Sequence, residues 1–110
     1  MQSPPDMSNI IWVIKTTIPE SMSEEEFASF CHSTIEAGAA CIQHHKIKST
    51  YKWDGEIKSE SEWSLQIKVS KHNKQAVADL IVKNHPYDVP QLIMKNWEAS
   101  DDYFAWASTE

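Results

Sequence analysis

The segment from Asn84 to Ile93, NHPYDVPQLI, concentrates groups that bind ligands or metals. It places an imidazole (His85), a phenol (Tyr87), a carboxylate (Asp88) and two prolines between a helix-like segment and a strand-like one. His85 has three possible roles: a structural residue at a helix end, a member of a polar pocket cluster, or a metal ligand. The prolines have a structural explanation, because Pro86 disfavours helical backbone at His85 and Pro90 suits the start of a strand.

Two further sets of side chains have metal-binding chemistry. His44 and His45 are adjacent in a predicted strand, so their side chains point to opposite faces and do not form a two-ligand site within one chain. Cys31 and Cys41 lack the spacing of a zinc or CxxC motif. We interpret both cysteines as reduced thiols, with Cys31 on the packed face of a helix.

Composition excludes several classes of function. The chain has 110 residues, of which 41% are hydrophobic, and a net charge of −6. This charge argues against a nucleic-acid binder, which needs a cationic surface. The longest apolar run, Ile10 to Ile14, is too short to cross a bilayer, and no secretory signal is visible. We therefore predict a cytoplasmic protein with no membrane contact.

Hydrophobic periodicity and helix-capping signals predict four strands and three helices around these residues. Ser23 followed by Glu24, Glu25 and Glu26 predicts a capping box at a helix start. Asp54-Gly55 predicts a hairpin turn. The predicted elements, in order, are a strand at 10–14, a helix from 23, strands at 39–53 and 63–69, a helix at 71–84, a strand at 89–97 and a helix at 101–108.

The element order β-α-β-β-α-β predicts an α+β, ferredoxin-like domain over residues 9–110, with a short C-terminal helix and a disordered tail over residues 1–8. The hairpin spanning about residues 40–69 is longer than a compact four-stranded sheet needs. It should project from the domain. A projecting hairpin with exposed edges and aromatic residues favours pairing with other chains, so we expect a closed oligomer.

Five segments then resemble one family in the same order along the chain. They read EAGAAC (36–41), STYKWDGEI (49–57), SEWSLQIKV (61–69), HPYDVPQLI (85–93) and DDYFAW (101–106). Together they resemble CutA, the divalent-cation tolerance family, over about residues 9–107. The resemblance implies a homotrimer like the PII signalling proteins, in which long hairpins wrap neighbouring subunits. It implies a role in metal tolerance without an established reaction.

The resemblance also implies two kinds of site. Family copper sites use a cysteine and a His-His pair, which match Thr16, Asn84 and His85 here, so only His85 keeps a copper-binding side chain for Cu²⁺ or another divalent cation. The intersubunit cleft of the family matches four residues that could hold a small anionic or zwitterionic ligand. These cleft residues are Trp53, Glu62, Lys68 and Tyr87.

Alternatives to this interpretation remain open. Three copies of His44 or of His45 around a trimer axis could bind a metal. Glu62 and Lys68 could instead form an ion pair across the interface, with the aromatic residues serving only for packing. The chain could be a trimeric scaffold for another protein, or an enzyme acting in the cleft. The sequence contains no HExxH motif and no phosphate-binding glycine loop, so we predict a protein that is not an enzyme.

Overall fold

A computed structural model describes residues 4–109 and has the predicted ferredoxin-like order of elements. The α+β fold class is confirmed. Within these residues no helix is both long and apolar enough to cross a membrane. The elements are β1 (Asp6–Pro19), α1 (Glu24–Glu36), β2 (Ala39–Trp53), β3 (Glu56–Val69), α2 (Lys74–Asn84), β4 (Ile93–Ala99) and α3 (Asp101–Thr109).

The four strands form one antiparallel sheet in the order β2-β3-β1-β4. Helices α1 and α2 cover one face of this sheet and enclose the main hydrophobic core. Alternate residues of β1 and β3 point into that core, as the two-residue period of a strand requires. The fully buried members include Ile14, Ile18, Leu65, Ile67, Val69, Val77 and Ile81.

The opposite face of the sheet is covered only in part. Helix α3 packs there through Ala107, which joins Ile11 and Ala99 in a small second cluster. Residues directly opposite each other on antiparallel strands share a face, so the register places His45, Ser64 and Glu62 on this side. We call it the open face.

Helix α1 begins as the sequence predicted. The Ser23 hydroxyl accepts from the backbone of Glu26, and the Glu26 carboxylate accepts from the backbone of Ser23, which completes the capping box. Helix α2 begins at Lys74, three residues later than predicted, because residues 71–73 form a turn. In that turn the Asn73 amide donates to the carbonyl of Gly38, which links the start of α2 to the end of α1.

Two strand boundaries also differ from the prediction. Strand β1 starts at Asp6, which pairs with Ala99, whereas a disordered tail was predicted through residue 8. Residues 1–3 of that tail lie outside the described part of the chain. Strand β4 starts at Ile93, so Pro90 precedes the strand by three residues instead of beginning it. The backbone after Pro90 remains irregular until β4 pairs with Lys15.

The long hairpin projects from the domain. Pairing of β1 with β3 ends at Pro19 and Glu62, so Ser49–Glu60 forms ladder contacts only within the hairpin. We call this segment the hairpin arm. Asp54 and Gly55 turn it with positive φ angles of 52° and 80°, as a tight two-residue loop requires. The chain measures 49 × 25 × 23 Å along its principal axes, which reflects this extension.

Candidate functional site

His85 lies beside Thr17 of β1, just beyond Lys15, where the pairing of β1 with β4 ends. It follows α2 with extended backbone, φ −74° and ψ 135°, as predicted from Pro86. Its Nε2 lies 2.6 Å from the carbonyl oxygen of Thr17, and its Nδ1 accepts a 3.1 Å hydrogen bond from the backbone N–H of Tyr87. Because Nδ1 accepts, the proton of the neutral ring belongs on Nε2, which donates to Thr17.

The pKa of His85 is lowered from its ordinary value of 6.5, chiefly by burial, against the opposing effects of the Thr17 carbonyl and the Glu62 charge. The neutral imidazole therefore holds two backbone segments together. Since both ring nitrogens are occupied by hydrogen bonds, the geometry supports a structural role for His85.

His85 in turn positions Tyr87 against Glu62. The Tyr87 hydroxyl donates a 2.9 Å hydrogen bond to Glu62 Oε2. Burial, this hydrogen bond and the Glu62 charge all raise the pKa of Tyr87, so the phenol keeps its proton at neutral pH. Glu62 itself is only 6% exposed, on the open face of β3 beside the end of β1.

Tyr51 and Glu60, which were not predicted as site residues, lie close to Tyr87 and Glu62. Loss of hydration raises the pKa of Tyr51, and the negative charges of Glu60 and Glu62 add to the effect. The Glu60 and Tyr51 charges also contribute to the raised pKa of Tyr87. The two-residue spacing of Glu60 and Glu62 on one strand was the available signal, because it places both carboxylates on one face.

The other two predicted cleft residues lie elsewhere in the chain. Lys68 places its Nζ 5.7 Å from the centre of the Tyr103 ring, beneath α3. Trp53 is half exposed at the tip of the arm, opposite Glu56. Each is about six strand residues from Glu62, or roughly 20 Å. One chain therefore brings together Glu62 and Tyr87 but not Trp53 and Lys68.

The residues at the family's copper position do not fit a copper ion. Thr16 is fully buried in the core, and its hydroxyl has no hydrogen-bond partner among residues 4–109. Asn84 is exposed on α2, and neither nitrogen of His85 has a free lone pair. Copper favours imidazole and thiolate ligands, and the one imidazole of this set already uses both ring nitrogens in hydrogen bonds. Over the described range no group of three His, Cys, Asp or Glu residues could hold a metal ion.

The adjacent histidines separate as the strand geometry predicted. His44 packs edge-on against Phe27 and Trp63 on the helix side, with ring centres 4.9 and 5.4 Å apart. His45 is exposed on the open face opposite Ser64. Of the two, only His45 lies on the open face.

Two surface grooves of the described chain lie along α1. One of about 720 Å³ runs along the outer side of α1, and another of about 480 Å³ lies between α1 and Asn84. Neither contains a predicted cleft residue. Both are open at the surface and lined mainly by side chains of α1, so we assign no site to them.

Comparison with known proteins identifies relatives of the whole domain. Residues 12–110 match the family model described as CutA1 divalent ion tolerance protein. The divalent-cation tolerance protein CutA of Pectobacterium atrosepticum is 31% identical over 97 residues, which cover 86% of each chain. The chloroplastic CutA protein of Arabidopsis thaliana is 31% identical over 96 residues, which cover 86% of this chain and 52% of the plant protein.

Solved structures share the fold. CutA from Synechococcus elongatus superposes with a TM-score of 0.81 at 25% identity, covering 97% of this chain and 92% of the other. A PII-like CutA protein from a Nostoc species superposes with a TM-score of 0.78 at 24% identity, covering 88% and 93%. At this identity the second likeness supports the fold alone.

Proposed function

The chain belongs to the CutA1 divalent ion tolerance family, and we propose that it acts as a non-enzymatic homotrimer linked to divalent-metal response or small-ligand signalling. The observation that carries the proposal is the hairpin arm. A two-stranded ribbon is marginally stable alone in water, and this one exposes Tyr51, Trp53 and Ile57 by 37%, 50% and 79%. Contact with neighbouring copies would bury these side chains, and the family resemblance implies three copies.

A trimer would also assemble the predicted ligand cleft. Trp53 and Lys68 lie too far from Glu62 within one chain, but an arm that wraps a neighbour would carry Trp53 to another subunit's open face. The cleft would then combine an aromatic wall with a carboxylate and an ammonium, a set that suits a small zwitterionic ligand. The family is named for ion tolerance and not for a reaction, which supports a binding protein over an enzyme.

A metal, if one binds, would need ligands from more than one subunit. His45 is the candidate, since it is exposed on the open face and three copies could meet at an axis. We propose that the protein is located in the cytoplasm. The Arabidopsis relative, by contrast, is named as a chloroplastic protein.

Calorimetry with Cu²⁺ on the reduced protein tests the metal part of the proposal. We expect one ion per three chains, with binding lost in His45→Ala and retained in His32→Ala, which removes an exposed histidine of α1. Binding that is equal in the two variants would rule out the axial site. If wild type shows no Cu²⁺ binding, only the small-ligand role would remain.

A further inference from the structure

Glu62 differs from every other carboxylate in residues 4–109 by its burial. It is 6% exposed and is the one charged residue among the buried side chains of that range. Within the described chain its carboxylate has no cationic nitrogen at ion-pair distance, whereas the exposed Glu20 lies 3.4 Å from Lys46 Nζ. The structure thus buries a charge without a counter-charge.

Such a group is costly unless it is paired. An ionised carboxylate can accept about four hydrogen bonds, and Glu62 receives one described side-chain bond, from the Tyr87 hydroxyl. The neutral phenol of Tyr87 offsets part of the cost of removing the Glu62 carboxylate from water, but it does not neutralise the negative charge. Buried charges in proteins are generally paired with an ion of opposite sign. Within residues 4–109 no lysine, arginine or histidine lies close enough to pair with Glu62.

The surroundings narrow the kind of cation. His85 does not supply the charge, since burial lowers the pKa of its ring and favours the neutral imidazole. A metal ion would need several strong ligands, and in the described range no group of three His, Cys, Asp or Glu residues is placed to hold one. Glu60 adds negative charge and Tyr51 adds an aromatic ring nearby. Carboxylates beside aromatic rings suit an ammonium group, which they bind by hydrogen bonds and cation–π contact.

We propose that Glu62, together with the Tyr87 hydroxyl and the Glu60 carboxylate, binds an ammonium group. The group belongs either to a small amine ligand or to a lysine of a second copy of this chain. This inference rests on the cleft of the proposed function and narrows its ligand to an amine-bearing one, in place of a purely anionic one.

A titration of the full-length protein with n-butylammonium chloride tests the inference, with sodium chloride at equal ionic strength as the blank. Calorimetry and light scattering are run on wild type, Glu62→Gln, Tyr87→Phe and Glu56→Gln. The last variant is the matched control, because Glu56 is an exposed carboxylate of the same strand and face. Circular dichroism confirms that each variant folds.

If the ammonium group belongs to a small amine ligand, wild type and Glu56→Gln should bind n-butylammonium. Glu62→Gln should bind it at least tenfold more weakly, and Tyr87→Phe should show a smaller loss of affinity. If the ammonium group belongs to a lysine of a second copy, wild type should not bind n-butylammonium. The protein concentration at which the oligomer is half dissociated should then be at least tenfold higher for Glu62→Gln than for wild type. The inference is overturned if neither quantity differs between Glu62→Gln and Glu56→Gln. If wild type proves monomeric, the proposed function fails while the n-butylammonium titration alone decides this inference.

Discussion

The two halves of strand β3 have opposite environments. From Glu62 to Val69 the strand pairs with both β1 and β2, and Leu65, Ile67 and Val69 are fully buried beneath α1 and α2. Across the hairpin arm the same strand pairs only with β2, and its apolar Ile57 is 79% exposed. The first half is stabilised by its own chain, whereas the second has apolar surface that only another molecule can cover. We infer that the core half stabilises the fold of each chain and that the arm mediates assembly with other chains.

Truncation of one isoleucine in each half gives the largest expected contrast. Ile67→Ala removes a fully buried side chain from the core and should lower the free energy of unfolding by about 2–5 kcal/mol. Ile57→Ala should change it by less than about 0.5 kcal/mol in a dissociated chain, since the site is exposed. Urea denaturation at low protein concentration measures both. Equal losses would mean that the arm is part of the folding core.

The two glycines provide a second contrast of this kind. Both have positive φ, 125° at Gly38 and 80° at Gly55, so alanine strains either position. A Cβ at Gly38 would lie 2.8 Å from the Asn73 side chain, whereas none of the surrounding atoms lies within 4 Å of one at Gly55. Gly38→Ala should therefore cost roughly 1–3 kcal/mol more than Gly55→Ala, measured by thermal unfolding. A larger loss for Gly55→Ala would contradict the packing at the α1–α2 junction.

The cap of α1 tests a smaller contribution to the core half. Ser23→Ala removes the side-chain acceptor for the Glu26 N–H and should lower stability by about 1 kcal/mol. Ser29→Ala, at an exposed position inside the same helix, is the control and should leave stability unchanged or slightly raised. If the two variants lose stability equally, the capping box contributes nothing of its own.

The pH dependence of stability tests the boundary between the core half and the arm. There His85 joins β1 to the loop before β4. The pKa of His85 is lowered in the folded chain, so between its folded and unfolded values the unfolded chain binds more protons. This contribution to stability is complete above the ordinary value of 6.5 and is lost as the pH falls below it. Denaturation at pH 7 and pH 5 should show a smaller decrease in His85→Gln than in wild type. His32→Gln, which removes an exposed histidine of α1, should keep the wild-type decrease. If His85→Gln also keeps it, the bridging role of His85 is wrong.

Local signals in the sequence were sufficient for the fold. The alternation of Trp63, Leu65 and Ile67, the capping box at Ser23 and the Asp54-Gly55 turn each depend on neighbouring residues, and each led to the observed element. The start of α2 was placed too early because the turn at 71–73 depends on Asn73 reaching Gly38, a contact between distant residues.

The candidate site was harder to predict from sequence. Tyr87 and Glu62 were selected through family resemblance, and the structure brings these two together. The role of Glu60 and Tyr51 depends on the strand register, which the sequence does not specify residue by residue. The burial of Glu62 depends on how the loop after α2 folds over the end of β1. Whether Trp53 and Lys68 join the site depends on other copies of the chain.

The mass of the wild-type protein in solution tests the account most directly. Light scattering at micromolar concentration should give three times the 12.6 kDa chain mass. Ile57→Asp, which places a charge on the exposed arm, should shift that mass toward one chain while circular dichroism remains unchanged. A wild-type mass near 12.6 kDa would contradict the account, because the arm would then be stable without a partner and the cleft would never form.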